Sequence, residues 1–292
     1  MDKIVEAQHL SKRYDTKIVF EDVNFSIKSG EVIGLIGANG AGKTTLIKIL
    51  LGLQTSTTGR VTILQNNPQS NLVKNHIGVM FQDDLVMKRV RGSELIEILR
   101  SLYTQPMTTK SLQTIADLGE DINNYVNKLS GGQQRKLNFA LALAGDPQLL
   151  FLDEPTAGMD TTSRHHFWNN IRQLTAKGKT IIVTSHYLSE IEDVATRILF
   201  LKDQHLIHDG SLQSLRQKFN QNTIKFISDL TEEQLQIKNG ILESHHQNYY
   251  CFRVDNVDQF LQDLAPQMLY IRDLQIQQKS LDDIFRQINE EK

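Results

Sequence analysis

The sequence predicts an α/β fold built on a parallel sheet, followed by a smaller second domain. Two apolar, β-rich runs, residues 149–152 and 180–184, are of the kind that is buried in a parallel sheet. A helix over about 164–176 separates them, and strands that alternate with helices imply a parallel α/β core. A third apolar run, 31–36, leads directly into a glycine-rich loop and a helix over 45–51.

The segments around this core complete the first domain. Residues 4–7, 18–20 and 23–27 are strand-like, and Ser29-Gly30 closes a turn. Residues 92–144 read mostly as helix. We therefore expect short N-terminal strands before the core and a helical region inserted between its strands.

The character of the chain changes near Gly210, where we place the boundary between domains 1–210 and 211–292. The second part is rich in Gln and slightly acidic, and Thr231 and Ser280 begin N-terminal capping patterns. Strands are predicted over 223–228, 248–254 and 268–276, and helices over 211–219 and after Thr231, Asn256 and Ser280. We expect a small α/β accessory domain with a regulatory or dimerisation role.

Composition limits the classes of function. The 292 residues are 39% apolar, enough for one large domain and a small one. A net charge of -2 gives no electrostatic case for a nucleic-acid partner, which usually calls for a clearly basic domain. The single cysteine, Cys251, permits no intrachain disulfide and reads as a packing residue. No run approaches the ~18 apolar residues of a membrane span, so we expect a soluble chain unless a partner holds it at a membrane.

Residues 37–44 fit the phosphate-binding pattern G-x-x-x-x-G-K-[ST]. Glycines let successive backbone N–H groups curl around phosphates, and the following helix presents its positive end to the anion. Lys43 can reach the outer phosphates, and the Thr44 hydroxyl can bind magnesium. The alternative is a plain turn between a strand and a helix. The residues predicted to bind the nucleotide here are Gly37, Asn39, Gly40, Ala41, Gly42, Lys43, Thr44 and Thr45.

Two acids, Asp153 and Glu154, end the apolar strand over 149–152. Ligands of parallel sheets sit beyond the carboxyl ends of the strands, so Asp153 lies where a magnesium ligand belongs in a P-loop protein. Glu154 follows it and is placed to polarise the water that attacks the terminal phosphate. In the alternative interpretation, both acids only cap the strand end in solvent.

The run Leu129-Ser130-Gly131-Gly132-Gln133 resembles the signature motif of ATP-binding-cassette (ABC) proteins. It precedes the strand that carries Asp153, as in that family, and the resemblance covers about residues 1–210. The other family motifs appear in order at Tyr14, Gln82, Gly158-Met159-Asp160 and Thr184-Ser185-His186. Met159 replaces the usual leucine, a nearly volume-conserving change that we expect to be harmless.

This resemblance implies a P-loop NTPase (RecA-like) core with an antiparallel β-subdomain and a helical subdomain. It also implies an ATPase that uses ATP and Mg²⁺ and works as a head-to-tail pair with a second copy. The implied catalytic residues are Lys43, Gln82, Glu154 and His186, and the implied metal ligands are Thr44, Gln82 and Asp153. The implied nucleotide contacts beyond the loop are Tyr14 stacked on adenine and, across the pair, Ser130, Gly131, Gly132, Gln133 and Asp160.

A transporter ATPase without a spanning segment must dock on a separate integral membrane permease. We therefore expect a cytoplasmic protein that is peripheral on the cytoplasmic face of the cell membrane. Residues 280–285 resemble the terminal motif of ABC-2 drug and antibiotic exporters, which favours export of a drug, antibiotic, peptide or lipid-like substrate. The predicted docking surface lies near 82–92 and on the helices between this segment and Leu129, and it contains Leu85, Val86, Met87, Lys88, Arg89 and Arg91.

Other classes of ATPase fit less well. A soluble ABC ATPase that acts on the translation machinery is the main alternative, but such proteins usually carry two cassettes and this chain has one phosphate loop. Chromosome-type and repair ATPases need a coiled coil for which residues 45–129 leave no room. Small-molecule kinases and GTPases do not explain residues 129–133 or 184–186.

Overall fold

The computed structural model describes residues 2–82, 87–185, 187–218, 222–278 and 280–290. The chain divides into two compact units, Met1–Ser211 and Leu212–Lys292. The strands of the first unit are β1 (Lys3–Tyr14), β2 (Lys17–Lys28), β3 (Val32–Gly37), β4 (Thr58–Ile63), β5 (Ile77–Met80), β6 (Leu149–Asp153), β7 (Thr180–Thr184), β8 (Arg197–Lys202) and β9 (His205–Gly210). Its α-helices are α1 (Lys43–Leu50), α2 (Asn71–His76), α3 (Gly92–Arg100), α4 (Thr109–Ala116), α5 (Gly131–Ala142), α6 (Thr161–Ala176) and α7 (Leu188–Val194).

The central sheet of the first unit has the strand order β5-β6-β7-β3-β8-β9. All its neighbouring strands are parallel except β8 and β9. Every residue of β6 and β7 is buried, as their unbroken apolar sequences predict. Because β6, β7 and β3 are successive neighbours, the loops that follow them meet at one edge of the sheet. The predicted α/β core is confirmed.

A second, antiparallel sheet is formed by the N-terminal strands in the order β2-β1-β4. Two long strands replace the short ones that the sequence predicted. Irregularities interrupt the β1–β2 register between Ala7 and Lys12, and His9 has a left-handed φ of 48°. Such bulges break the polar–apolar alternation by which a continuous strand is recognised. The sheet buries one apolar face that includes Val5, Leu10 and Ile27.

The helical region predicted over 92–144 consists of α3, α4 and α5, with 3₁₀ turns at Gly119–Asn123 and Val126–Lys128 between α4 and α5. Ile96, Leu112 and Leu137 are fully buried in this region. Burial of each such side chain contributes about 1.5–3 kcal/mol. The region is therefore a packed subdomain, although its connections are less helical than the sequence suggested.

The second unit is an antiparallel sheet of strand order β11-β12-β10-β13 with short helices. Its elements are α8 (Leu212–Lys218), β10 (Asn222–Ser228), α9 (Glu232–Leu235), β11 (Ile241–His246), β12 (Tyr249–Val254), α10 (Val257–Leu264), β13 (Ile271–Gln278) and α11 (Leu281–Glu290). Phe226, Tyr250, Phe252 and Phe260 form the centre of its core. Cys251 is buried in β12, as a packing residue should be.

Two details of this unit differ from the sequence predictions. The strand predicted over 268–276 begins only at Ile271, because Pro266 lies in a 3₁₀ helix over Ala265–Tyr270. Strand β11 was not predicted. It is an edge strand with mostly exposed or half-buried polar residues, so it lacks an apolar signal.

Candidate functional site

The phosphate loop connects β3 to α1, and its glycines are required by its backbone. Gly42 has a φ of 99° at the N-cap of α1, and Gly37 has a φ of 157° at the end of β3. A Cβ at Gly42 would lie 2.9 Å from Val19 Cγ1, and one at Gly37 would lie 2.5 Å from the Leu201 carbonyl oxygen. Only glycine adopts these conformations without strain or collision. Helix α1 begins at Lys43, so its positive end faces the loop.

The Lys43 ammonium lies within this loop. Its Nζ donates to the carbonyl oxygens of Gly37, at 2.7 Å, and Ala38, at 3.1 Å. Burial lowers the pKa of Lys43, and the charges of Glu154 and Asp153 oppose that shift. A partly desolvated cation therefore faces the two carboxylates across the site.

Asp153 and Glu154 are both buried where β6 ends, with 5% and 6% of their surface exposed. The Thr184 hydroxyl joins them: it donates to Asp153 Oδ1 at 2.7 Å and accepts from the Glu154 backbone N–H at 3.0 Å. Glu154 has a left-handed φ of 51°, which is uncommon for a non-glycine residue and costs energy to hold. The alternative of two solvated strand-end acids is therefore wrong.

One cleft of about 320 Å³ collects most of the residues that the sequence singled out. Such a volume suits a small-molecule ligand. Its lining combines the phosphate loop, the acids after β6, the glutamine after β5 and the turn between β1 and β2. The lining residues are Tyr14, Lys17, Val19, Asn39, Gly40, Gly42, Lys43, Thr44, Thr45, Gln82, Asp153 and Glu154.

The donors in this cleft fit magnesium. Thr44 offers a hydroxyl, Asp153 a carboxylate and Gln82 an amide oxygen, and Mg²⁺ prefers oxygen ligands. Across the described ranges there is no cluster of three or more His, Cys, Asp or Glu side chains able to hold a metal ion. One hydroxyl, one carboxylate and one amide oxygen form a donor set that suits Mg²⁺ held together with substrate phosphates.

Tyr14 lies at the rim of the cleft, at the end of β1, with 45% of its surface exposed. Lys12 Nζ is 4.8 Å from the centre of the Tyr14 ring, and Gln54 Nε2 donates to the Tyr14 hydroxyl. These two contacts fix the orientation of a ring whose remaining surface is available for stacking.

Gln82 and the residue before it are fixed by a buried arginine that the sequence analysis missed. Arg135 on α5 donates from Nη1 to the Phe81 carbonyl oxygen at 3.0 Å and from Nη2 to the Gln82 carbonyl oxygen. The helix that begins at the signature motif therefore holds the segment that enters the cleft. No local pattern reveals this contact, because more than fifty residues separate its partners.

The signature residues do not belong to the same cleft. Ser130 is the N-cap of α5: its hydroxyl accepts from the Gln133 N–H at 3.3 Å, and Gln133 Oε1 accepts from the Ser130 N–H at 2.9 Å. A Cβ at Gly131 or Gly132 would meet nothing within 4 Å. These residues form an open surface at a helix N-terminus and do not line the cleft that contains the phosphate loop.

Asp160 caps α6. Its carboxylate accepts from the Ser163 N–H at 2.9 Å and from the Ser163 hydroxyl at 2.6 Å, and these hydrogen bonds lower the pKa of Asp160. Asp160 is therefore the N-cap of α6. His186, Leu85 and Val86 lie outside the described residues.

An apolar groove of about 440 Å³ lies beside the cleft. Phe81 lines the groove and Gln82 lines the cleft, so consecutive residues connect the two. The groove is lined by Leu51, Leu53, Lys74, Ile77, Val79, Met80, Phe81, Leu99, Tyr103, Asn138, Leu141 and Ala142.

In the described part of the chain, no helix is both long and apolar enough to span a bilayer.

Two family models match the chain. Residues 20–157 match the family described as ABC transporter. Residues 210–288 match the C-terminal domain of ATP-binding proteins like DrrA1-3. The two matches fall on the two compact units of the structure.

Curated relatives extend the similarity over most of the chain. It is 36% identical over 220 residues to the Nod factor export ATP-binding protein I of Rhizobium johnstonii, covering 72% of this chain and 70% of that protein. It is 34% identical over 225 residues to the protein of the same name from Rhizobium sp. strain N33, covering 74% of this chain and 73% of that protein.

Solved structures share the fold. The dimeric structure of MJ0796, a bacterial ABC transporter cassette, superimposes with a TM-score of 0.64 at 27% identity over 71% of this chain and 98% of that chain. A dimeric post-hydrolysis state of MJ0796 bound to ADP and Pi gives a TM-score of 0.65 at 26% identity, with the same shares covered.

Proposed function

This chain belongs to the ABC transporter family as an ATP-binding, ATP-hydrolysing subunit, and from that premise we propose that it powers export through a separate integral membrane permease. The observation that carries the proposal is the cleft in which the phosphate loop, Gln82, Asp153 and Glu154 meet. The alternative of an ABC ATPase that serves the translation machinery has no comparable support, because the relatives are export subunits.

We assign the phosphates of ATP to residues 37–45. Their glycines open the loop, and the Lys43 ammonium lies where it can move from the loop carbonyls to the outer phosphate oxygens. Thr44, Asp153 and Gln82 would hold Mg²⁺, which supplies charge neutralisation to the transferred phosphoryl group when bound. Tyr14 would stack on the adenine at the rim.

Glu154 is the residue proposed to orient or deprotonate the attacking water, with His186 contacting the γ-phosphate. The Thr184 hydroxyl fixes Asp153 and the Glu154 backbone together, so the proposed metal ligand and the proposed base keep one relative position. Phosphoryl transfer needs little covalent chemistry from the protein, and such positioning supplies most of the catalysis.

The second half of each ATP site is proposed to come from another copy of the chain. Ser130, Gly131, Gly132 and Gln133 stand at an open helix N-terminus, a ready binding site for the γ-phosphate of a facing subunit. Asp160 would lie at the same interface. Support comes from the dimeric state of the related cassettes.

The apolar groove is our proposed docking site for the permease on the cytoplasmic face of the membrane. Large exposed apolar surfaces on soluble proteins mark interaction sites. Met87, Lys88 and Arg89 are exposed, and they follow in sequence soon after Phe81, which lines the groove, and Gln82, which lines the cleft. Movement of Phe81 in the groove would therefore reach Gln82 in the cleft.

Export of a drug, antibiotic, peptide or lipid-like substrate is proposed from the relatives, which are named export proteins, and from the similarity of 210–288 to a DrrA-like C-terminal domain. Residues 211–292 are proposed as a regulatory or dimerisation domain.

The export proposal is tested by purification of the tagged chain from native membranes, followed by an assay of ATP-dependent efflux with the co-purified permease. Uptake that depends on this ATPase, or the absence of any membrane partner, would contradict the proposal.

Placing a charge in the groove should break docking. Leu53 lines the groove and is 64% exposed, so Leu53→Asp disturbs the fold little. An unpaired carboxylate in an apolar interface costs several kcal/mol, so we expect the membrane-bound fraction to fall at least about tenfold. Basal ATPase activity should remain.

Leu72→Asp is the matched control for this test, because Leu72 is 49% exposed and does not line the groove. Membrane association is measured by flotation of native membranes and ATPase activity on the purified chain. If both variants stay membrane-bound to the parental extent, the groove is not the docking site.

A further inference from the structure

Glu190 is a buried carboxylate that none of the assignments above uses. It lies in the first turn of α7 with 9% of its surface exposed. Its Oε2 accepts from the Thr156 hydroxyl at 2.8 Å and from the Ser185 hydroxyl at 3.3 Å. Burying an ionised carboxylate is costly unless it is paired and hydrogen-bonded, so these partners are part of what keeps it there.

The other oxygen of Glu190 faces an arginine. Arg164 Nε is 3.2 Å from Glu190 Oε1, and the two atoms are not aligned for a hydrogen bond, so the contact is an ion pair. Arg164 Nη2 also donates to the Met159 carbonyl oxygen at 3.4 Å, and its guanidinium carbon lies 4.3 Å from the centre of the Tyr187 ring.

The partners of Glu190 come from two loops that follow neighbouring strands. Thr156 is two residues after Glu154, in the loop after β6. Ser185 immediately precedes His186 in the loop after β7, and β6 pairs with β7. The Ser185 hydroxyl also accepts from the Tyr187 N–H at 3.0 Å. Glu190 Oε2 therefore links the loop that follows β6, which carries the proposed base Glu154, to the loop that follows β7, which carries the proposed γ-phosphate contact His186.

We propose that Glu190 is a positioning residue for ATP hydrolysis, which fixes the loop of Glu154 relative to the loop of His186. This rests on the proposed roles of those two residues. Glu190 acts through Thr156 and Ser185, and Arg164 balances its charge. Displacement of a reacting group by about 1 Å can lower the rate roughly 10²-fold. Loss of Glu190, which holds both loops, is therefore expected to lower the rate of ATP hydrolysis.

If Glu190 had a purely structural role, loss of the buried ion pair would lower the stability of the fold and reduce ATP binding and hydrolysis together. The positioning role predicts a separation between turnover and binding, because the hydrogen-bond and ion-pair partners of Glu190 among the described residues lie outside the phosphate loop. We expect Glu190→Ala to lower kcat at saturating ATP by about 10–100-fold, while the Kd for a fluorescent ATP analogue changes by less than about threefold.

Two further variants keep the test informative if Glu190→Ala folds poorly. Glu190→Gln keeps one oxygen that can accept from both hydroxyls but replaces the oxygen that faces Arg164 by an NH2 group, so it should recover part of the lost kcat. Ile191→Val changes a fully buried neighbour on the same helix without touching the network. It should lower the melting temperature and leave kcat unchanged.

The decisive experiment is a double-mutant cycle on kcat between Glu190→Ala and Thr156→Val in the full chain. We expect the combined loss to be clearly smaller than the product of the single losses, because both changes break the same link. Multiplicative losses, or kcat and binding that fall in parallel with the folded fraction, would overturn the proposal. A parent chain without ATPase activity would instead contradict the proposed function itself.

Discussion

Replacement of Glu154 by glutamine is expected to leave ATP binding intact and to lower turnover by ~10²–10⁴-fold, the usual worth of a positioned general base. Glutamine has nearly the same shape, and the hydrogen bond from the residue 154 N–H to Thr184 Oγ1 is a backbone contact that survives the change. The side chain of glutamine cannot accept a proton from water. Single-turnover hydrolysis and equilibrium binding of an ATP analogue separate the two effects.

Glu233→Gln is the control for this variant, since Glu233 is an exposed acid in the second unit. It should hydrolyse ATP at the parental rate. Near-parental turnover in Glu154→Gln would remove Glu154 from the catalytic role and leave the base elsewhere in the cleft.

Replacement of Ser130 by arginine is expected to prevent ATP-driven dimerisation and to lower hydrolysis at least about 10²-fold, in line with the loss of a donor that stabilises developing charge. The arginine side chain would fill the open surface at the N-terminus of α5, where Gly131 and Gly132 leave room for a ligand. Nucleotide binding by the monomer should persist, because the phosphate loop lies elsewhere. Light scattering in the Glu154→Gln background reports the dimer.

Ser101→Arg provides the comparison, because Ser101 is an exposed serine at the C-terminal end of α3. It should dimerise and hydrolyse ATP like the parent. Normal dimerisation of Ser130→Arg would show that the signature surface does not complete the site of a second subunit.

The features that the sequence predicted are those whose geometry is local. The loop over 37–44 can be recognised in the sequence because Gly37 and Gly42 are required by their own backbone angles. Asp153 and Glu154 can be placed because the apolar run 149–152 ends immediately before them, which puts them at the carboxyl end of a strand of the parallel sheet.

The features that the sequence did not reveal depend on contacts between distant segments. Arg135 reaches Phe81 and Gln82 from another subdomain, and Glu190 joins Thr156 to Ser185. Neither has a neighbour in sequence that marks it, because buried polar networks are specified by tertiary packing.

If each ATP site is shared between two chains, two variants that are inactive alone should restore activity when they are mixed. Lys43→Ala disables the phosphate loop, and Ser130→Arg disables the signature surface, so each variant alone should be inactive. In a mixed dimer, the phosphate loop of the Ser130→Arg chain faces the intact signature surface of the Lys43→Ala chain. Each mixed pair contains one intact site out of two. An equimolar mixture should therefore recover up to about a quarter of parental ATPase activity if the chains pair at random, and up to about half if only mixed pairs form. A mixture as inactive as either variant alone, with mixed dimers present by native mass spectrometry, would contradict the shared site.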